Sequence, residues 1–92
     1  MHIYLACFDI SDDKNRDRAG KELLTYGDRV QKSVFEIAIR RPEDLEAIRL
    51  KLAPLLEDGD DFRFYRLCAD CRSQSFGTRG ERLAQFPPAV VV

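Results

Sequence analysis

The chain has 92 residues, 45% of them apolar and 34% charged, with a formal net charge of −1. That length supports one modest core and is too short for two. The longest apolar run, Ile3 to Phe8, has the length of a strand, so no membrane span or secretory leader is expected and a cytoplasmic protein is. The charge is unevenly placed: residues 42–61 carry seven Asp/Glu against two Lys/Arg, and residues 62–92 carry five Lys/Arg against two Asp/Glu. A near-neutral protein of this kind can still hold phosphate on a local basic surface.

In chain order, His2 to Asp9 reads as a strand. Ile3, Leu5 and Cys7 fall on one side and Tyr4, Ala6 and Phe8 on the other. Both sides are apolar, so both sides of the sheet should be covered there. Asp12 or Asp13 is a suitable N-cap for a helix running to about Tyr26. Gly27 is its expected C′ stop, and Ala19, Gly20, Leu23 and Leu24 are its inward stripe. Arg16 shares that stripe in the first turn, which aims it towards Asp9, and Arg18 lies on the flank of the same turn.

Residues 28–40 are extended, with Phe35, Ile37 and Ile39 on one face and Val34, Glu36 and Ala38 on the other. Residues 29–33 break the alternation, which predicts a bend or bulge. Pro42, Glu43 and Asp44 start a second helix. Leu45, Ile48, Leu52 and Leu55 repeat along it, and Pro54 should end it near Ala53. Residues 57–61 read as a solvated acidic loop without calcium-loop spacing. Residues 62–68 form another strand, and residues 70–78 a turn with a short strand at Gln74-Ser75-Phe76. Pro87-Pro88 is a stiff spacer before Ala89 to Val92, an apolar end suited to adding to a sheet edge. The expected division is a domain over 1–80 and a docking tail over 81–92.

The order is βαββαβ, a ferredoxin-like α+β fold with both helices on one face of the sheet. The other face carries Val34 and Ala38 and one apolar side of the first strand. A second copy of the chain, related by a twofold axis, is the simplest cover for it. A homodimer packed through the open sheet face is therefore expected.

Chemistry has few possible carriers. His2 is the single histidine, no Ser-His-Asp or Cys-His arrangement is available, and the five glycines lie apart without phosphate-loop spacing. Cys7, Cys68 and Cys71 are odd in number, which argues against a disulfide framework. The lone Cys68-Ala69-Asp70-Cys71 falls short of the four ligands of a zinc site, so small strand-end thiols are expected. Asp9 remains, with Arg16, Arg18 and Arg29. On the residues alone two readings stand: Asp9 caps a turn and the arginines are solvated, or Asp9 and its copy across a twofold axis hold Mg²⁺ while the arginines bind phosphates.

Two segments carry a resemblance. Residues 8–16 (FDISDDKNR) and 26–36 (YGDRVQKSVFE) closely resemble the CRISPR-associated protein 2 family. Its hallmark is a strand ending Tyr-Asp-Ile, a following Asp and Arg, then Gly, Arg, Val, Gln, Ser, Val, Phe and Glu. The resemblance implies a ferredoxin-like homodimer with the two strand-end aspartates facing across the interface, and an Mg²⁺-dependent (Mn²⁺ as a substitute) endoribonuclease or endonuclease. It makes Asp9 the metal and catalytic residue, Arg16, Arg18 and Arg29 nucleic-acid contacts, and Phe8 and Phe35 site-shaping residues. Phe8 stands where the family has tyrosine, so a hydroxyl is missing. The resemblance also implies a role in CRISPR adaptation, in which the dimer binds double-stranded DNA and bridges dimers of the CRISPR-associated protein 1 integrase. There it would act as a scaffold without cutting, with residues 89–92 as a docking strand. A single-strand RNA-binding module has the same element order, but Val34 to Ala38 lacks its Gly/Phe-rich signature.

Overall fold

The alternating apolar residues of the first eight positions form β1 (His2–Asp9), an inner strand of the sheet. The computed structural model describes residues 1–84. Residues 85–92, with the expected docking strand, lie outside the described residues. After β1 come α1 (Asp13–Leu24), β2 (Gly27–Gln31), β3 (Val34–Ile39), α2 (Pro42–Leu52), a single 3₁₀ turn (Ala53–Leu55), β4 (Asp61–Leu67) and a short α3 (Ala69–Ser73). The sheet order is β2-β3-β1-β4, with every neighbouring pair antiparallel. This is the ferredoxin-like arrangement expected from the element order. The Asp12 carboxylate caps α1 by accepting the Asn15 N–H at 2.9 Å. Pro42 opens α2 and Pro54 confines its end to the 3₁₀ turn.

The core lies between the sheet and the helices. Ala6 and Phe8 of β1 and Phe35, Ile37 and Ile39 of β3 meet Ala19 and Leu23 of α1 and Ile48 and Leu52 of α2. Phe8 stacks on Phe35 with ring centroids 5.8 Å apart. Burying each large apolar side chain stabilises the fold by about 1.5–3 kcal/mol relative to exposure. Leu24, expected in the inward stripe, is 50% exposed because α1 has turned it past the core.

Gly27 is not the helix stop that its position suggested. Thr25 is the C-cap of α1, in ordinary right-handed backbone, and Gly27 opens β2. Its reason is a close approach: a Cβ there would meet the Glu36 carbonyl oxygen and stand 2.7 Å from the Ile37 Cα. The bulge expected between β2 and β3 occurs between Arg29 and Gln31.

Neither α1 nor α2 packs on the opposite sheet face. Leu5, Cys7, Val34, Glu36 and Ala38 are only half-buried there. Part of the cover comes from the chain itself. Phe76 bridges Arg82, and residues 77–84 enclose with the sheet a cavity of about 720 Å³. Ala84 anchors this segment: its N–H donates to the Glu36 carboxylate at 3.1 Å and its carbonyl accepts from Arg72 at 3.4 Å. Its φ of 54° lies in the left-handed region, which costs an alanine energy and is held by those two contacts.

Candidate active site

Antiparallel register places direct cross-strand partners on one face. Asp9 pairs with Asp61, Cys7 with Arg63 and Leu5 with Tyr65. Asp9 therefore ends β1 on the open face, exposed, in a shallow depression of about 290 Å³. Cys7, Phe8, Asp9, Asp61, Arg63 and Tyr65 line it. Within it the Arg63 Nε donates to the Asp61 carboxylate at 2.7 Å and its Nη1 to the Tyr65 hydroxyl oxygen at 3.2 Å. The Tyr65 contact first, and the Asp61 carboxylate second, raise the Arg63 pKa above its already high ordinary value.

The turn after Asp9 is tied to the loop before β4. The Asp60 carboxylate accepts N–H donors from Glu57 at 2.9 Å and Ser11 at 3.1 Å. The Glu57 bond foremost, then the Ser11 bond, hold Asp60 below the usual carboxylate range. Residues 57–61, read from the sequence as solvated and without chemistry, thus contribute a tether (Asp60) and a second carboxylate (Asp61). The strand-spaced pattern Asp61-x-Arg63-x-Tyr65 was the signal available for Asp61. What links it to Asp9 is the register of two strands far apart in the chain.

The expected arginines do not gather around Asp9. Arg16 donates to the Ile10 carbonyl at 3.0 Å and pairs with Asp13, so it closes the β1–α1 turn instead of meeting the Asp9 carboxylate. Its side chain follows the nearer carbonyl left by the turn. Arg18 is exposed on α1. Arg29 pairs with Phe35 across β2–β3, and its guanidinium sits 5.1 Å from the Phe35 ring centroid. Gly20 gives it room, since a Cβ there would stand 2.6 Å from the Arg29 Nη2. Phe8, Phe35 and Arg29 thus belong to the helix side of the sheet, whereas Asp9 belongs to the open side. Phe35 is fully buried, as a core residue is.

Among the described residues no group of three His, Cys, Asp or Glu side chains converges as a metal cage. The donor set at the depression is two carboxylates on neighbouring strands. Mg²⁺ retains several waters and takes one or two carboxylates plus phosphate oxygens, so these residues fit it. They do not fit a structural zinc site. Cys68 caps α3, its Sγ accepting the Cys71 N–H at 3.2 Å, with the two sulfurs 3.0 Å apart. That cap is a strand-end thiol's role. No helix among the described residues is long and apolar enough to cross a membrane.

Similarity to known proteins runs through all these elements. The family model described as CRISPR associated protein Cas2 matches residues 1–75. A protein of Chloroflexus aurantiacus named CRISPR-associated endoribonuclease Cas2 1 is 47% identical over 74 residues, covering 78% of each chain. CRISPR-associated endoribonuclease Cas2 4 of Rhodospirillum rubrum is 36% identical, over 99% of this chain and 75% of the relative. A chain in the solved structure of a partial Cas6-RT-Cas1–Cas2 complex superposes with a TM-score of 0.83 at 34% identity, covering 94% of this chain and all of that one. Strand-end aspartate, Gly-Asp-Arg-Val-Gln segment and ferredoxin-like sheet all lie within the matched residues, and the chain belongs to the CRISPR-associated Cas2 family.

Proposed function

We propose that this protein is an Mg²⁺-dependent endonuclease of CRISPR adaptation that hydrolyses RNA or DNA phosphodiesters, with Asp9 as its metal-holding and catalytic residue. The observation that carries this reading is an exposed carboxylate ending an inner strand, with a second carboxylate and an arginine in the same depression. The relatives from Chloroflexus aurantiacus and Rhodospirillum rubrum are named endoribonucleases. Mn²⁺ would substitute for Mg²⁺, since both favour oxygen ligands.

The open face supports a twofold dimer. Leu5, Cys7, Val34 and Ala38 leave apolar surface there that residues 77–84 cover only in part. A second copy laid against this face would bring a second Asp9 towards the first. The ion supplies polarisation of the phosphoryl oxygen and a lowered pKa for a bound water. The chain's part is to hold Asp9 in place through the β1–β4 ladder, and to fix the following turn through Asp60 and Arg16. Lys14, Arg18 and Lys21, exposed at helical spacing on α1, offer a basic surface for phosphates further along the strand.

Cleavage of a labelled RNA and a labelled DNA in Mg²⁺, with and without EDTA, tests this. Asp9→Asn should reduce the EDTA-sensitive rate about a hundredfold or more, with an unchanged thermal midpoint because Asp9 is exposed. Undiminished cleavage by Asp9→Asn rules out the catalytic assignment. A second reading is a DNA-binding scaffold that bridges Cas1 integrase dimers without cutting. The likeness to a chain of a Cas1–Cas2 assembly favours it. On that reading Asp9→Asn leaves spacer integration intact, and removing residues 87–92 weakens the complex.

A further inference from the structure

We infer that Arg63 is the phosphate-binding cation of the Asp9 depression, oriented for that task by Asp61 and Tyr65. The inference rests on the nucleic-acid reading above and adds to it residues that the strand-end motif does not contain.

The first support is the face. Arg63 is the cross-strand partner of Cys7, two residues before Asp9, and Asp61 is the partner of Asp9 itself. Arg63 is the one cation among the described residues that line the depression. Of the three arginines nearer to Asp9 that the strand-end motif offers, Arg18 lies exposed on α1 and outside the depression, and the other two are engaged elsewhere. Arg29 lies over Phe35 on the helix side, and Arg16 is bonded to the Ile10 carbonyl and Asp13.

The second support is the way the guanidinium is held. Its Nε is taken by Asp61 and its Nη1 by the Tyr65 hydroxyl. A guanidinium has five N–H donors in a rigid fork. Two anchors leave three donors, fixed in direction, for a phosphate oxygen pair. The side chains of Arg63 and Asp61 are 63% and 53% exposed. An ion pair so exposed adds little to stability. Its effect is to orient the fork, a positioning role for Asp61 and Tyr65. One anionic and one cationic group beside Asp9 also suit a substrate that brings a phosphate together with a metal ion.

The test is anisotropy titration of fluorescein-labelled single-stranded RNA and of duplex DNA onto the full chain, in EDTA so that nothing is cut, over a range of salt. Arg63→Ala should weaken binding of the preferred probe about tenfold and reduce the slope of log affinity against log salt by about one. Arg63→Lys should restore the slope and only part of the affinity, because an ammonium is not a fork. Asp61→Asn should fall between. Wild-type affinity and slope in Arg63→Ala on both probes overturns the inference, as does a loss that comes with a changed sedimentation coefficient and is not restored by lysine. Asp9→Asn, assayed beside them for Mg²⁺-dependent cleavage, separates the two proposals. If Asp9→Asn still cuts, the catalytic reading fails while the Arg63 result stands.

Discussion

The two faces of the sheet are built from the same strands and obey different physics. On the helix side Tyr4, Ala6 and Phe8 of β1 and Phe35, Ile37 and Ile39 of β3 lie against an apolar helix stripe, so Ile37, Phe35 and Ile48 have no exposed surface at all. On the open side the intervening residues of the same strands mix Leu5, Cys7 and Val34 with Asp9 and Glu36, and β4 adds Asp61 and Arg63, none of these fully buried, with Ile3 the one buried residue of β1 on that side. The first face makes the fold. The second has surplus apolar surface, which asks for a partner, and charged groups held in register, which can meet a ligand.

Truncating one residue on each face should separate the two. Ile37→Ala should cost about 2–5 kcal/mol in urea denaturation at any protein concentration. Leu5→Ala should cost about half of that or less in dilute protein, and more as concentration rises if a second copy buries the open face. Equal and concentration-independent costs would remove the distinction. Next in size is Gly27→Ala, where a methyl would press on the β3 backbone. A loss of about 1–3 kcal/mol is expected, with exchange protection falling first along β2.

Glu36 probes the cover of the open face. Glu36→Ala takes away the acceptor of the Ala84 N–H and should lower protection of that amide about tenfold. Glu36→Gln should keep most of it, because an amide oxygen can accept the same bond. Burial foremost raises the Glu36 pKa, opposed by the Ala84 bond and aided by Asp28. The folded state therefore holds this proton more tightly than the unfolded chain. The contribution is present in full below the ordinary glutamate pKa and is lost as pH rises through the raised value. Glu36→Gln should remove that dependence from the stability–pH curve. Asp60 runs the other way. Its folded pKa is lowered by the Glu57 bond, so its contribution is present above the ordinary carboxylate pKa and lost as pH falls through the lowered value. The smallest effect belongs to Asp60→Ala, a fall of roughly a few degrees in thermal midpoint at neutral pH and none in strong acid.

The face that makes the fold was legible in the sequence, because its information is local. Period-two alternation marked β1 and β3, and period-three-and-four repeats marked the inward residues of α1 and α2. Pro42 and Pro54 marked the ends of α2. What escaped was set by contact between distant segments or by a single cap. Gly27 is a glycine because β3 runs close beside it, not because a helix ends there. The segment after Cys68, read as a turn, holds α3, where the Cys68 thiol caps a short helix that propensity does not announce. Asp61 looked like one more solvated acid, and only the β1–β4 register makes it the neighbour of Asp9. Arg16 has the right place to reach Asp9, but the nearer Ile10 carbonyl takes it.

The sheet order also fixes a sequence in time. β1 is the first strand to leave the ribosome, yet it lies inside the finished sheet, and its outer neighbour β4 is the last of the four. A nascent chain that ends before Asp61 can pair β1 with β3 but leaves its other edge bare, with Asp9 on a naked strand end. The depression with Arg63 therefore does not exist until most of the chain has been made and the slowest, most distant pairing has closed. A site built this way is assembled only when folding is complete.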